Sequence, residues 1–248
     1  MTSHPSLHSR WSLGKLIAHA TRLPIVKGLL RRFVNRPGFR GSADYWEERY
    51  TAGESSGMGS YGQFAEFKAA VINGFVAKNE VVSVTEFGCG DGNQLSLMRY
   101  PHYNGLDVSA TVVQGCRERF RGDASKRFFH YHPDRSAKQL QEVRADLAVS
   151  LDVIYHLVED DVFESYMSDL FLAATRFVII YSTNTDINSV GQSPHVRHRV
   201  FTEWIAANAV EWEMFDHLVS QLPVEHFGRM ESRPDFYFFR RKIGTTSR

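Results

Sequence analysis

The chain predicts an α/β fold: a seven-stranded, mostly parallel sheet with an antiparallel C-terminal hairpin and helices on both faces. Three observations carry this expectation. Between residues 82 and 182, short β-branched or aromatic runs alternate with segments of helical period, the pattern of a parallel sheet covered on both sides. The first of those runs ends directly in a glycine-rich turn. The last two runs, Glu211–Val219 and Phe236–Lys242, have only a loop between them and pair as antiparallel neighbours.

The elements follow in order. Pro37 to Ser42 supplies a linker, and Ala43 to Tyr50 a helix signal. A glycine-serine loop then spans Gly53 to Gly62. Phe64, Phe67, Val71, Ile72 and Phe75 recur at helical spacing up to Val76. Strands are expected at Val82–Phe87, Tyr103–Asp107, Arg127–His132, Asp146–Leu151 and Phe177–Ser182. Helices are expected at Asn93–Arg99, Thr111–Phe120, Lys138–Val143 and Asp160–Thr175, with another beginning at Thr202.

The hydrophobic share of 43% and charged share of 23% are those of an ordinary globular protein. Cys89 and Cys116 are the two cysteines, which excludes a disulfide framework or a zinc pattern. With no apolar run near the ~18 residues of a membrane span, the expected compartment is cytoplasmic. The net charge of +1 conceals an asymmetry: residues 1–43 hold eight bases and no acid, leaving 21 bases and 28 acids in the rest. Apolar residues recur through this basic stretch at roughly helical spacing. Residues 1–42 are therefore expected to form an amphipathic arm. It would pack on its own domain, touch an anionic membrane or partner through residues 10–40, or serve as a transit peptide.

The most informative stretch is Val81 to Asn93, where a β-branched run ending in Glu86-Phe87 turns into Gly88-Cys89-Gly90-Asp91-Gly92. Glycine lets a backbone turn tightly and approach a ligand, because a Cβ would block both. Asn93 to Met98 would open a helix whose dipole faces that ligand. Fifteen residues beyond Gly92, the next strand ends in Asp107, placed to accept both hydroxyls of a ribose. The pair marks a nucleoside-cofactor site. Its G-x-G-x-G spacing departs from the dinucleotide fingerprint, and an acid against the turn suits an ammonium better than a pyrophosphate.

The run E-F-G-C-G-D-G followed by G-L-D-V-S resembles the class I S-adenosylmethionine-dependent methyltransferases. With Y-W-E-E-R-Y near residue 45, E-F-K-A, S-L-D-V-I-Y-H-L and H-V-R-H-R-x-F-T, the resemblance covers residues 43 to about 240. Among those enzymes it is nearest to a bacterial subset found with glycan and natural-product pathways. It implies a Rossmann-like domain over 43–248 and S-adenosyl-L-methionine as cofactor. Gly88, Cys89 and Gly90 would lie against the cofactor's amino-acid part, and Glu86 would reach its ammonium. Asp107 would hold the ribose and Val108 would flank the adenine. His132 or Asp134 would stand in for the acid that the family often places near adenine. Leu151 would lie beside the cofactor, and Trp46 and Ser60 would belong to a closing flap, with Arg49, Tyr50 and Tyr61.

After the fourth strand stand Asp152, Tyr155 and His156, where the resemblance implies residues beside the transferable methyl. Asp152 and His156 share one face if the segment is helical. A hydroxyl acceptor needs a base near neutral pH, which imidazole provides. The catalytic pair would be His156 with Asp152 as its orienter. Alternatively the pair ligates a divalent ion, or caps a helix and packs; with no third ligand in view, no metal is expected. His195, Arg197 and His198, with Tyr155, would bind the substrate, and their charge suggests carboxylate or phosphate on it. The expected activity is O-methylation of a small, hydroxylated, anionic acceptor. N-methylation of a protein or nucleic acid, and a non-catalytic scaffold docking through the arm, are the alternatives; no nucleic-acid partner is expected.

Overall fold

The computed structural model describes residues 39–133, 136–222 and 233–244. The basic arm expected over 1–42 lies almost wholly outside the described residues, as does Asp134. Helix α1 is Ser42–Thr51, with Asp44 in its first turn and Arg49 in its last, each complementing the helix dipole. Helix α2 is Gly62–Lys78, and its core face repeats at helical spacing through Ala65, Lys68, Ala69, Ile72 and Val76. The alternation then runs β1 (Ser83–Phe87), β2 (His102–Asp107), α3 (Ala110–Arg119), β3 (Lys126–His130), α4 (Ser136–Glu142), β4 (Ala145–Leu151), α5 (Asp160–Ala173) and β5 (Ala174–Ser182). Helix α6 (Phe201–Asn208), β6 (Trp212–Leu218) and β7 (Asp235–Arg241) complete it.

The seven strands lie in the order β3-β2-β1-β4-β5-β7-β6. The four pairings that join β1 to β5 are parallel, and β7 runs antiparallel to both β5 and β6. Thus β7 is internal, β3 and β6 form the two edges, and a bulge between Met214 and Asp216 interrupts the pairing of β6. One apolar layer packs α2 and α3 on the sheet through Ile72, Val76, Val113, Leu147 and Ile179. The other packs α4, α5 and α6 through Leu140, Met167, Leu170 and Phe201. Among the described residues no helix is long and apolar enough to cross a membrane.

Three expectations need correction. The helix expected over Asn93–Arg99 is a single 3-10 turn, Leu95–Leu97, and Met98 is already extended. The polar side chains that would start the helix are committed elsewhere: Asn93 Nδ2 donates to Ser60 O at 2.8 Å, and Gln94 Nε2 donates to Ala65 O at 3.0 Å. No helix dipole therefore faces the glycine turn. In addition, β3 stops at His130, short of His132, while α5 runs into β5 without a loop.

Candidate functional site

Strand order reverses between β1 and β4, and open α/β sheets bind ligands in the crevice at such a point, beyond the carboxyl ends of the strands. A cavity of about 340 Å³ lies there. Its floor is Gly88 and Gly90, both with positive φ (80° and 55°). A Cβ on Gly88 would overlap Val153, and one on Gly90 would overlap Ser56, so the turn needs glycine for both reasons. Cys89 is buried behind this turn, as is Cys116, whose Sγ donates to Gly90 O at 3.2 Å.

Asp107 lines the cavity beside this turn. One of its oxygens accepts from Gly90 N and the other from Ser109 N, each at 3.0 Å. Each oxygen keeps a second acceptor position. Burial pushes this carboxyl up to about 6, against the lowering effect of the two backbone donors and of His130. Val108, Tyr131 and Pro133 line the adjoining wall, with Val162, Ser165 and Tyr166 of α5. Of these only Val108 was expected. Tyr131 follows β3 directly, so its place after a strand was the available signal.

Glu86 lies under the turn, 2% exposed, and accepts from Tyr103 Oη at 2.6 Å. It is not on the cavity wall. Burial pushes it up to about 7, against the Tyr103 bond and the nearby Lys68 ammonium. His132 is exposed, its ring 4.0 Å from that of His130, and it too is off the wall. The pleat explains Glu86: it shares the face of Val84, two residues before it, which packs in the layer of α2 and α3.

Beyond β4, Leu151, Asp152, Val153 and His156 line the cavity. Asp152 has a left-handed backbone (φ 60°), and Ile154–His156 is one 3-10 turn. The shared helical face expected for Asp152 and His156 is therefore absent. Asp152 Oδ2 instead pairs with Lys68 Nζ at 2.6 Å, and Oδ1 accepts from Tyr155 Oη at 3.0 Å. His156 Nδ1 lies 3.0 Å from His195 O. A carbonyl can only accept, so Nδ1 carries the hydrogen and Nε2 is left as an acceptor. Trp46 meets the His156 ring edge-on at 5.0 Å, and His195 stacks parallel to it at 5.4 Å. Burial lowers the imidazole to about 4, although the His195 carbonyl opposes the shift. Tyr155 is buried behind Asp152.

The flap comes from α1 and the loop after it. Trp46, Tyr50, Ser56 and Ser60 face the cavity. Ser42 ties α1 to the turn beyond β4: its N donates to Glu159 Oε1 at 2.8 Å, and its Oγ accepts from Val158 N at 3.0 Å. Asp91 ties the loop to the glycine turn. Its Oδ2 accepts from Ser56 N and Tyr61 Oη, both at 2.8 Å, while Ser56 Oγ accepts from Asp91 N at 2.8 Å. Arg49 turns away, to Glu54 Oε2 at 2.9 Å.

The basic run after β5 does not converge on the cavity. Arg197 pairs with Asp160 Oδ1 at 2.9 Å, and Arg199 donates to Val158 O at 2.8 Å. His198 is buried against Thr183 Oγ1 at 2.7 Å. His195 stacks on Tyr45, ring centroids 4.1 Å apart, behind His156. Among the described residues no lysine or arginine lines the cavity; its carboxylates are Asp107, Asp152 and Asp161. Nor do any three His, Cys, Asp or Glu side chains there stand together as metal ligands.

No protein-family model matches the chain, and no curated protein sequence does. Solved structures do. The N-methyltransferase NodS from Bradyrhizobium japonicum WM9, in complex with S-adenosyl-L-homocysteine, superposes with a TM-score of 0.60 at 13% identity, over 81% of this chain and 98% of that one. Magnesium protoporphyrin IX methyltransferase (ChlM) from Synechocystis PCC 6803, with bound S-adenosylmethionine, gives 0.57 at 11%, over 84% and 100%. The methyltransferase domain of bacterial CtHen1-C gives 0.55 at 18%, over 70% and 96%. The fold of this chain is that of the S-adenosylmethionine-dependent methyltransferases of class I.

Proposed function

We propose that this chain is an enzyme that transfers a methyl group from S-adenosyl-L-methionine to a small hydroxylated acceptor. The observation that carries the reading is Asp107 on the cavity wall, bonded to a turn whose two glycines admit no Cβ. That cradle fits a nucleoside bearing an amino-acid tail: the free acceptor positions of Asp107 take ribose hydroxyls, and the bare turn admits the tail. Val108, Tyr131 and Pro133 would flank the adenine. Trp46 and Ser60 would cover the ligand, and Leu151 would pack beside it. When bound, the cofactor supplies an electrophilic methyl on a sulfonium.

The chain's own work is then alignment and proton removal. His156 presents Nε2 as a neutral acceptor, which orients the acceptor's hydroxyl. Its low basicity suffices, because a hydroxyl becomes strongly acidic as its oxygen gains a third bond. The geometry withdraws support from an anionic acceptor, since Arg197, His198 and Arg199 are engaged elsewhere. A neutral hydroxyl fits the site better. An amine acceptor is the second reading, favoured by a cavity wall on which, among the described residues, no lysine or arginine stands. Calorimetry with S-adenosylhomocysteine tests the first step, and mass spectrometry of an alcohol and amine panel, read as a gain of one methyl, tests the second. A purified chain that binds neither the cofactor nor its product would overturn the proposal.

A further inference from the structure

Lys68 stands out in the interior. It is 1% exposed, and among the described residues no other lysine or arginine is buried. It lies on the core face of α2, where its neighbours at helical spacing are Ala65, Ala69 and Ile72. A buried ammonium is costly unless it is paired and hydrogen-bonded. Its direct partner is Asp152 Oδ2 at 2.6 Å, and the Tyr181 ring lies under it at 5.4 Å. Glu86 is near enough for the ammonium to favour its ionised form, but bonds to Tyr103.

Asp152 is held with unusual completeness. Its left-handed backbone is uncommon for a residue other than glycine, although aspartate tolerates it better than most. Its N donates to Tyr181 O at 2.9 Å, Tyr155 Oη donates to Oδ1, and Lys68 holds Oδ2. The flap closes against the same carboxylate, since a Cβ on Gly59 would come within 2.9 Å of Oδ2. The carboxylate nevertheless lines the cavity, whereas Lys68 does not.

We propose that Lys68 is a positioning residue that fixes and neutralises the Asp152 carboxylate, and so sets the charge the cavity wall presents to a cationic ligand. As a pair the two side chains contribute no net charge beside a site that must accept a sulfonium and release a neutral thioether. The inference rests on the proposed S-adenosylmethionine site. Its signature is the ratio of the affinities for S-adenosylmethionine and S-adenosylhomocysteine, which differ by one positive charge at sulfur.

Calorimetry on the full chain reads that ratio. Asp152→Asn leaves the ammonium uncompensated and should shift the ratio against S-adenosylmethionine by about tenfold, the scale of one charge acting across about 12 Å at an effective dielectric constant of about 20. Lys68→Met should shift it by a similar factor the other way. Lys68→Arg and the double variant Lys68→Met with Asp152→Asn both restore a neutral wall and should return the ratio near its starting value. If Lys68→Met does not fold, Asp152→Asn and the double variant decide. Affinities for both ligands that fall in parallel, with the ratio unmoved, would overturn the inference and leave Lys68 as a packing residue. Failure of the unaltered chain to bind either ligand would instead overturn the proposed function.

Discussion

Asp107 concentrates what a single side chain contributes. Replacing it with alanine removes the acceptors proposed for ribose and also strands the Gly90 and Ser109 amides. Affinity for S-adenosylhomocysteine should fall by more than about tenfold, measured by calorimetry, because two charge-assisted hydrogen bonds are lost. His156 makes a second residue-level prediction. An enclosed ring, lowered to about 4, is neutral throughout the physiological range. Its NMR resonances should titrate near pH 4 and stay flat across pH 6 to 7, whereas an ordinary imidazole midpoint would contradict the packing described. The glycines and Asp107 were legible in the sequence because their spacing alone fixes strand ends and turn. Arg197 and His198 were not, because a basic run does not state which side of a loop faces the ligand. Lys68 carried a usable signal, a charged residue on the apolar stripe of α2, but a helical lysine is ordinarily solvated.

At the scale of elements, the flap and the β1–β2 pair make separate predictions. Asp91 joins the flap loop to the glycine turn through Ser56 and Tyr61. Asp91→Ala should leave the fold intact, expose residues 50–61 to limited proteolysis, and speed release of S-adenosylhomocysteine by about a hundredfold, the scale of two hydrogen bonds to a charged acceptor at about 1.5 kcal/mol each. Glu86 on β1 is ionised above about 4.5 in the unfolded chain but only above about 7 in the folded one. Its folded pKa is raised, so ionisation costs stability at pH 8, by at most about 3 kcal/mol. That cost fades as pH falls from 7 toward 4.5. Glu86→Gln should therefore raise Tm at pH 8 and leave it almost unchanged at pH 4.5. The reverse pattern would place Glu86 in a stabilising ion pair. His156 acts oppositely, costing stability as pH falls from 6.5 toward 4, so the comparison must be made against the parent at each pH. Alternation made every strand of the parallel sheet legible. The helix expected after Gly92 failed because Asn93 and Gln94 bond to the flap and α2, partners that no local pattern reveals.

At the scale of the whole molecule, the reversal of strand order between β1 and β4 brings together residues far apart in sequence: the flap near 46, the turn near 90, Asp107 and the segment 151–157. All of these lie downstream of residue 41, whereas the eight bases and no acids of residues 1–43 form a compositionally separate stretch. The first described anchor of the flap is Ser42, tied to Glu159 and Val158. A chain beginning at Pro37 retains that anchor and every cavity residue. It should fold with the same Tm within a few degrees and bind S-adenosylhomocysteine within about twofold of the full chain, a difference near the noise of additive, distant changes. It would also lose seven positive charges, which are Arg10, Lys15, Arg22, Lys27, Arg31, Arg32 and Arg36. Any affinity of the full chain for anionic vesicles should therefore disappear in the shortened one while cofactor binding persists. A shortened chain that folds but has lost the cofactor would make the arm part of the site, and would move the proposed domain boundary upstream.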